Sequence, residues 1–105
     1  MTALTRPHAD VLDDVEVLAD PLRREIVRRL AHEQLCTCHL VEMTGARQPT
    51  VSYHLKALRD AGWVESEPAG RYTYYRLVPA RVVALGQALH DLATATPTRP
   101  RRPCD

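Results

Sequence analysis

At 105 residues the chain is the size of one domain, near the range where a second copy helps to cover the core. Hydrophobic residues make up 45% and charged residues 26%; with no apolar run able to span a bilayer and no signal-peptide pattern at the start, a cytoplasmic protein is expected. A net charge of +1 excludes a uniformly basic chain, so a nucleic-acid-binding face would have to be a local patch.

Residues 1–9 read as a disordered N-terminal arm and 10–93 as the folded domain. An acid-rich opening (Asp10, Asp13, Asp14, Glu16 and Asp20 against Arg6) contains a first helix over 10–18, with Val11, Leu12, Val15 and Leu18 on one side. Asp20-Pro21 is a helix start, an N-cap acceptor followed by proline at N1. The helix over 21–32 places Leu22, Ile26, Val27 and Leu30 on one face and Arg23, Arg24, Arg28 and Arg29 largely on the other. A short third helix over 38–44 stops at Gly45, suited to the left-handed conformation that ends helices. Gln48-Pro49 restarts the chain as a fourth helix, with Val51, Leu55 and Leu58 inward, ending at Gly62. The turn 45–47 makes these two helices a helix-turn-helix unit.

Residues 63–67 and 71–77 read as strands joined by a turn at Pro68-Ala69-Gly70. The second alternates Tyr72, Tyr74 and Arg76 with Thr73, Tyr75 and Leu77, so one face can pack while the other stays wet. Pro79 opens a last helix with Val82, Leu85, Leu89 and Leu92 on one stripe, which covers either the monomer core or a second copy. The fold class is therefore mainly α with a β-hairpin wing, a winged helix-turn-helix. Residues 94–105 form a flexible tail rich in proline and arginine that carries Cys104.

Three cysteines, an odd number in a reducing compartment, point to ligation or redox chemistry more than to a disulfide framework. Two of them stand one residue apart in Leu35-Cys36-Thr37-Cys38-His39-Leu40, just ahead of the third helix. Residues two apart on a regular helix point about 200° away from each other. Cys36 and Cys38 therefore either occupy an irregular lead-in or distort the first helical turn when both grip one ion. His39 beside them offers a third ligand for a Cys/Cys/His zinc site, or simply faces solvent. No Ser/His/Asp set, phosphate loop or paired carboxylates suggests an enzyme.

From about residue 18 to 79 the chain resembles the ArsR/SmtB family of bacterial metal-responsive repressors. The resemblance rests on Leu18-Ala19-Asp20-Pro21-Leu22-Arg23-Arg24-Glu25-Ile26, Gln48-Pro49-Thr50-Val51-Ser52-Tyr53-His54-Leu55-Lys56-Ala57-Leu58, Asp60-Ala61-Gly62-Trp63-Val64 and Gly70-Arg71-Tyr72-Thr73-Tyr74-Tyr75-Arg76-Leu77. Leu35-Cys36-Thr37-Cys38-His39-Leu40 is similar to the cysteine segment of the arsenic-sensing branch, which often has an acid where His39 stands.

The resemblance implies a homodimer formed through the first and last helices, reading a palindromic double-stranded operator. It places Gln48, Thr50, Ser52, Tyr53 and His54 at or near the DNA, with Arg47 and Lys56 on phosphates and Arg71 and Tyr72 at the wing contact. It also implies derepression, in which As(III) or Sb(III) held by Cys36 and Cys38 releases the operator. Cys104 is a candidate third thiolate, since the extended tail reaches roughly 30 Å; the alternative is an idle terminal thiol. Sensing of Cd(II), Pb(II) or Zn(II), or of thiol oxidation, through the same cysteines remains open. Some members bind zinc on the last helix, but here that helix offers only the adjacent His90 and Asp91.

Overall fold

The computed structural model describes residues 10–96 and 101–104; the expected arm over 1–9 and positions 97–100 of the expected tail lie outside them. Asp10 opens the described chain by accepting a hydrogen bond from the Leu12 backbone N–H at 3.0 Å. It starts a 3-10 helix, Val11–Leu18, where an α-helix was expected. Within it Val17 is buried and Asp14 half-buried, while Val11 and Val15 stay exposed.

Helix α1, Pro21–Leu30, starts as the Asp20-Pro21 signal requires. The Asp20 carboxylate accepts from the backbone N–H groups of Leu22 at 2.8 Å and Arg23 at 3.2 Å. Arg24 Nη1 donates back to the Leu18 and Ala19 carbonyls at 2.7 and 3.1 Å, tying α1 to the segment before it.

Helix α2, Thr37–Thr44, ends at Gly45, whose φ of 74° is the left-handed conformation expected there. Helix α3, Gln48–Asp60, buries Val51, Leu55 and Leu58, as its apolar period requires. These three join Ile26 of α1, Leu40 of α2 and Trp63 as the most deeply buried side chains. Each contributes about 1.5–3 kcal/mol of burial free energy.

The sheet departs from a simple hairpin. A two-residue strand β1, Leu35–Cys36, adds to β2, Val64–Ala69, and β3, Tyr72–Leu77, in the antiparallel order β1-β3-β2. Leu35 pairs with Tyr75 and Cys36 with Tyr74, so the cysteine segment is stitched to the wing. Pro68 and Ala69 are not the turn; they pair with Thr73 and Tyr72 inside the hairpin, which leaves Gly70 and Arg71 at its tip. Pro68 is tolerated because β2 is an edge strand.

Trp63 is pinned from three sides. Its backbone N–H donates to the Leu58 carbonyl at 2.9 Å, its carbonyl accepts from Val78 at 2.8 Å, and its indole Nε1 donates to Asp14 at 3.2 Å. The same Asp14 oxygen meets Arg81 Nη1 at 3.4 Å. Arg81 lies on α4, Pro79–Ala95, which runs past the expected boundary at 93. Of its expected stripe only Leu85 is buried; Leu89 and Leu92 stay 47% and 54% exposed. Among the described residues no helix is long and apolar enough to cross a membrane.

Gly62 has a φ of 80°, and a Cβ there would sit 2.6 Å from an Arg81 guanidinium nitrogen. Gly62→Ala is therefore expected to destabilise the domain by about 1–2 kcal/mol in urea unfolding. Asp20 supplies a pH test. The Arg23 backbone N–H, then that of Leu22 and the nearby His54, hold its carboxyl below the ordinary value of 3.8 against an opposing desolvation effect. A depressed carboxylate stabilises the fold above its unfolded pKa, and that contribution disappears as pH falls through the folded value. Unfolding curves between pH 6 and pH 2 are expected to show an acid-side loss that is smaller in Asp20→Ala.

Candidate DNA-binding face and thiol site

Cys36 is the last residue of β1 and the N-cap of α2, with extended backbone angles of −85° and 167°. Its Sγ accepts from the His39 backbone N–H at 3.4 Å, and its own backbone N–H donates to His39 Nδ1 at 3.2 Å. This is a reciprocal capping box with sulfur and imidazole where Ser or Thr and Glu or Gln usually stand. Cys36 is buried and Cys38, at the second helical position, is exposed; their sulfurs are joined as a disulfide across a Cα separation of 5.3 Å.

Of the two alternatives, the irregular lead-in is the arrangement found. An N-cap residue has no helical φ/ψ, so the 200° rule does not apply to this pair. The two sulfurs meet with α2 intact. His39 Nδ1 lies 3.3 Å from Cys36 Sγ, and its ring meets Tyr74 of β3 edge-on at 5.9 Å between centroids. Among the described residues Cys36, Cys38 and His39 form one cluster of donor atoms, all within 4.8 Å of one another. Cys104 is an exposed free thiol outside that cluster.

Eight of the nine residues expected on the DNA side, Arg47, Gln48, Thr50, Ser52, Tyr53, Lys56, Arg71 and Tyr72, are exposed. They occupy the outer side of α3 and the wing tip. His54 is the exception. It is only 7% exposed, because 51, 54, 55 and 58 fall on one side of a 3.6-residue helix. Its Nε2 stands 3.8 Å from the Asp20 carboxylate, so it faces the α1 cap and lies off the exposed side of α3. Lys56 pairs with Asp60 at 2.8 Å, an exposed i,i+4 contact that contributes little to stability.

The two sets of residues share a cleft of about 330 Å³. Cys36, Thr37 and Cys38 form one wall, Gln48 at the start of α3 another, and Arg71, Tyr72, Thr73 and Tyr75 of the wing a third. The sequence reading missed Thr37, Thr73 and Tyr75 there, as well as the capping role of the thiol. The Cys-x-x-His spacing of 36 and 39 matches a capping box and was the available signal. A larger and mostly apolar cleft of about 630 Å³ lies between the end of α1, β3 and the start of α4, and holds none of the expected site residues.

Residues 20–66 match the family described as "Bacterial regulatory protein, arsR family". The HTH-type transcriptional regulator Rv2034 of Mycobacterium tuberculosis is 43% identical over 70 residues, which cover 67% of this chain and 65% of that protein. The arsenical resistance operon repressor of Staphylococcus xylosus is 40% identical over 63 residues, covering 60% of this chain and 61% of the repressor. A crystal structure described as a "possible transcriptional regulator for arsenical resistance" superposes with a TM-score of 0.68 at 37% identity, over 75% of this chain and 81% of that one. The matched region contains both helices of the helix-turn-helix, the capped cysteine segment and the first part of the wing, and the chain belongs to the arsR family of bacterial regulatory proteins.

Proposed function

We propose that the protein is a dimeric DNA-binding repressor that leaves a palindromic operator when As(III) or Sb(III) is taken up by the reduced Cys36 and Cys38. The observation that carries this reading is the shared cleft: the thiol pair, the first residue of α3 and the wing tip line the same space. Soft thiolates suit a thiophilic metalloid, and relatives named for arsenical resistance support that ligand, while others are named for cadmium resistance.

On the DNA side, α3 enters the major groove, with Gln48, Thr50, Ser52 and Tyr53 toward base edges and Arg47 and Lys56 toward phosphates. Arg71 and Tyr72 bring the wing to the backbone. The exposed apolar side chains Val11, Val15, Val82, Leu89 and Leu92 support pairing with a second copy through the 3-10 helix and α4. A dimer of this kind sets its two α3 helices about 34–36 Å apart, one turn of duplex.

Release follows from what Cys36 does in the fold. A thiolate that turns toward a metalloid must weaken its capping bond to the His39 N–H, and its backbone is paired with Tyr74 of the wing. The metalloid also takes volume beside Gln48 and Arg71, where a phosphate would approach. Cys104 remains a candidate third thiolate. A second reading, repression relieved by thiol oxidation, is favoured by the Cys36–Cys38 disulfide itself. In that reading a peroxide takes two electrons and two protons from the dithiol, forms the disulfide and is reduced to water.

Fluorescence anisotropy with operator DNA separates these readings. As(III) is expected to weaken binding of the reduced protein by about 5–150-fold, the usual range for allosteric coupling. Cys36→Ser and Cys38→Ser should retain affinity and lose the response; normal release by both would exclude the pair as the sensor. Release by peroxide and not by As(III) would replace the metalloid reading with the redox one. Arg71→Ala is expected to weaken binding to all sequences alike and to lower the salt slope by about one unit.

A further inference from the structure

The inward side of α3 carries Val51, His54, Leu55 and Leu58, and His54 is the one buried polar side chain among the described residues. An apolar residue would fill that position without a desolvation cost, and the imidazole is poorly served in it. Its Nδ1 is buried with no hydrogen-bond partner, and its Nε2 stands 3.8 Å from Asp20 Oδ1, too far for a hydrogen bond. We infer that His54 is a positioning residue of the reading helix: its protonated ring pairs with the Asp20 carboxylate, draws α3 onto the cap of α1 and makes operator affinity higher at lower pH. The inference rests on the DNA-reading role of α3 proposed above and adds a proton as a second effector of it.

A charge on this ring is balanced from α1. The Arg23 backbone N–H, then that of Leu22 and His54 itself, hold the Asp20 carboxyl below its ordinary value of 3.8 against an opposing desolvation effect. Asp20 therefore stays ionised across the range of about pH 5–8 in which histidines change charge. Arg23 is the competing cation; its charge acts on the same carboxylate, and its own Nε is buried without a partner. The other elements packed on α3 join no hydrogen bond or ion pair to His54 among the described residues. His39 of α2 is engaged with Cys36 and Tyr74, and Glu42 is exposed. Glu65 and Glu67 of β2 pair with Arg76, and on α3 itself Lys56 pairs with Asp60 while Arg59 is exposed.

The ring also touches the DNA side. Its edge meets the Tyr53 ring at 5.2 Å between centroids and 75° between planes, and Tyr53 is exposed among the residues proposed to face base edges. Movement of the imidazole toward Asp20 is thus passed to Tyr53 as well as to the α3 backbone. The paired form is the protonated one, so its contribution is present at low pH and is lost as pH rises through the titration of His54.

The test measures the affinity of the full chain for a fluorescent duplex selected from a random-sequence library, at pH 6 and pH 8 and fixed salt. The parent is expected to bind about fivefold more weakly at pH 8, the low end of the usual coupling range. Asp20→Asn keeps a good N-cap and removes only the charge, and His54→Gln removes the titrating ring. Each should shrink the pH ratio by the same factor, and the double variant should shrink it no further. A purely structural role would lower affinity alike at both pH values and leave the ratio as in the parent, which overturns the proton linkage; a full ratio in Asp20→Asn overturns the choice of partner. Should His54→Gln not fold, Asp20→Asn carries the same comparison. Urea midpoints test the pair without DNA: the two substitutions should be non-additive at pH 6 and additive at pH 8. Additivity at both overturns the pairing, whereas pH-dependent coupling in a chain that selects no duplex would sink the DNA-reading role alone.

Discussion

The strand-to-helix junction at Cys36 is where the described elements are most tightly interlocked around function. One residue ends β1, pairs with Tyr74 of the wing and caps α2 through its sulfur. Helix α2 in turn packs on α3, and Leu40 and Val51 both belong to the common core. A single side chain thereby links the wing to α2 and, through α2, to α3. An N-cap is worth about 0.5–2 kcal/mol, a small part of a domain's stability but similar in size to a typical allosteric coupling. Under the proposed repressor function, a change at this sulfur biases DNA affinity without unfolding the protein.

A second set of polar contacts ties the 3-10 helix, α3 and α4 together. Asp14 bonds the Trp63 indole and the Arg81 guanidinium, locking the 3-10 helix, the turn after α3 and the first turn of α4 together. His54 and Asp20 add a polar contact between the inner side of α3 and the cap of α1. The exposed apolar side chains of the 3-10 helix and α4 lie on the anchored part, so a partner copy there would carry the rigid body of each reading head.

Helix existence was legible because periodicity and caps are local properties. Asp20-Pro21, Gly45 and Gly62 each mark a boundary, and Val51, Leu55 and Leu58 identify the inner side of α3. The outer side of α3 and the wing tip were likewise readable as one exposed surface. His54 was misplaced because its side chain is polar, although its position in the helical period already put it inward. The hairpin turn was read one step early, since Pro68 signals a turn by itself yet is equally at home in an edge strand.

By itself the amino-acid order determined the helix-turn-helix, the hairpin and the pairing of two soft donors just ahead of α2, because these depend on neighbours within a few positions. Only the tertiary structure decided how those donors are used. Strand β1 is two residues long and has no periodicity to detect; it exists because β3 offers it partners some forty positions away. That pairing extends the backbone at Cys36 and makes it a cap. It also brings the imidazole to the two sulfurs and sets the cysteines in a cleft with Gln48 and Arg71, a grouping formed by long-range contacts that local sequence cannot encode.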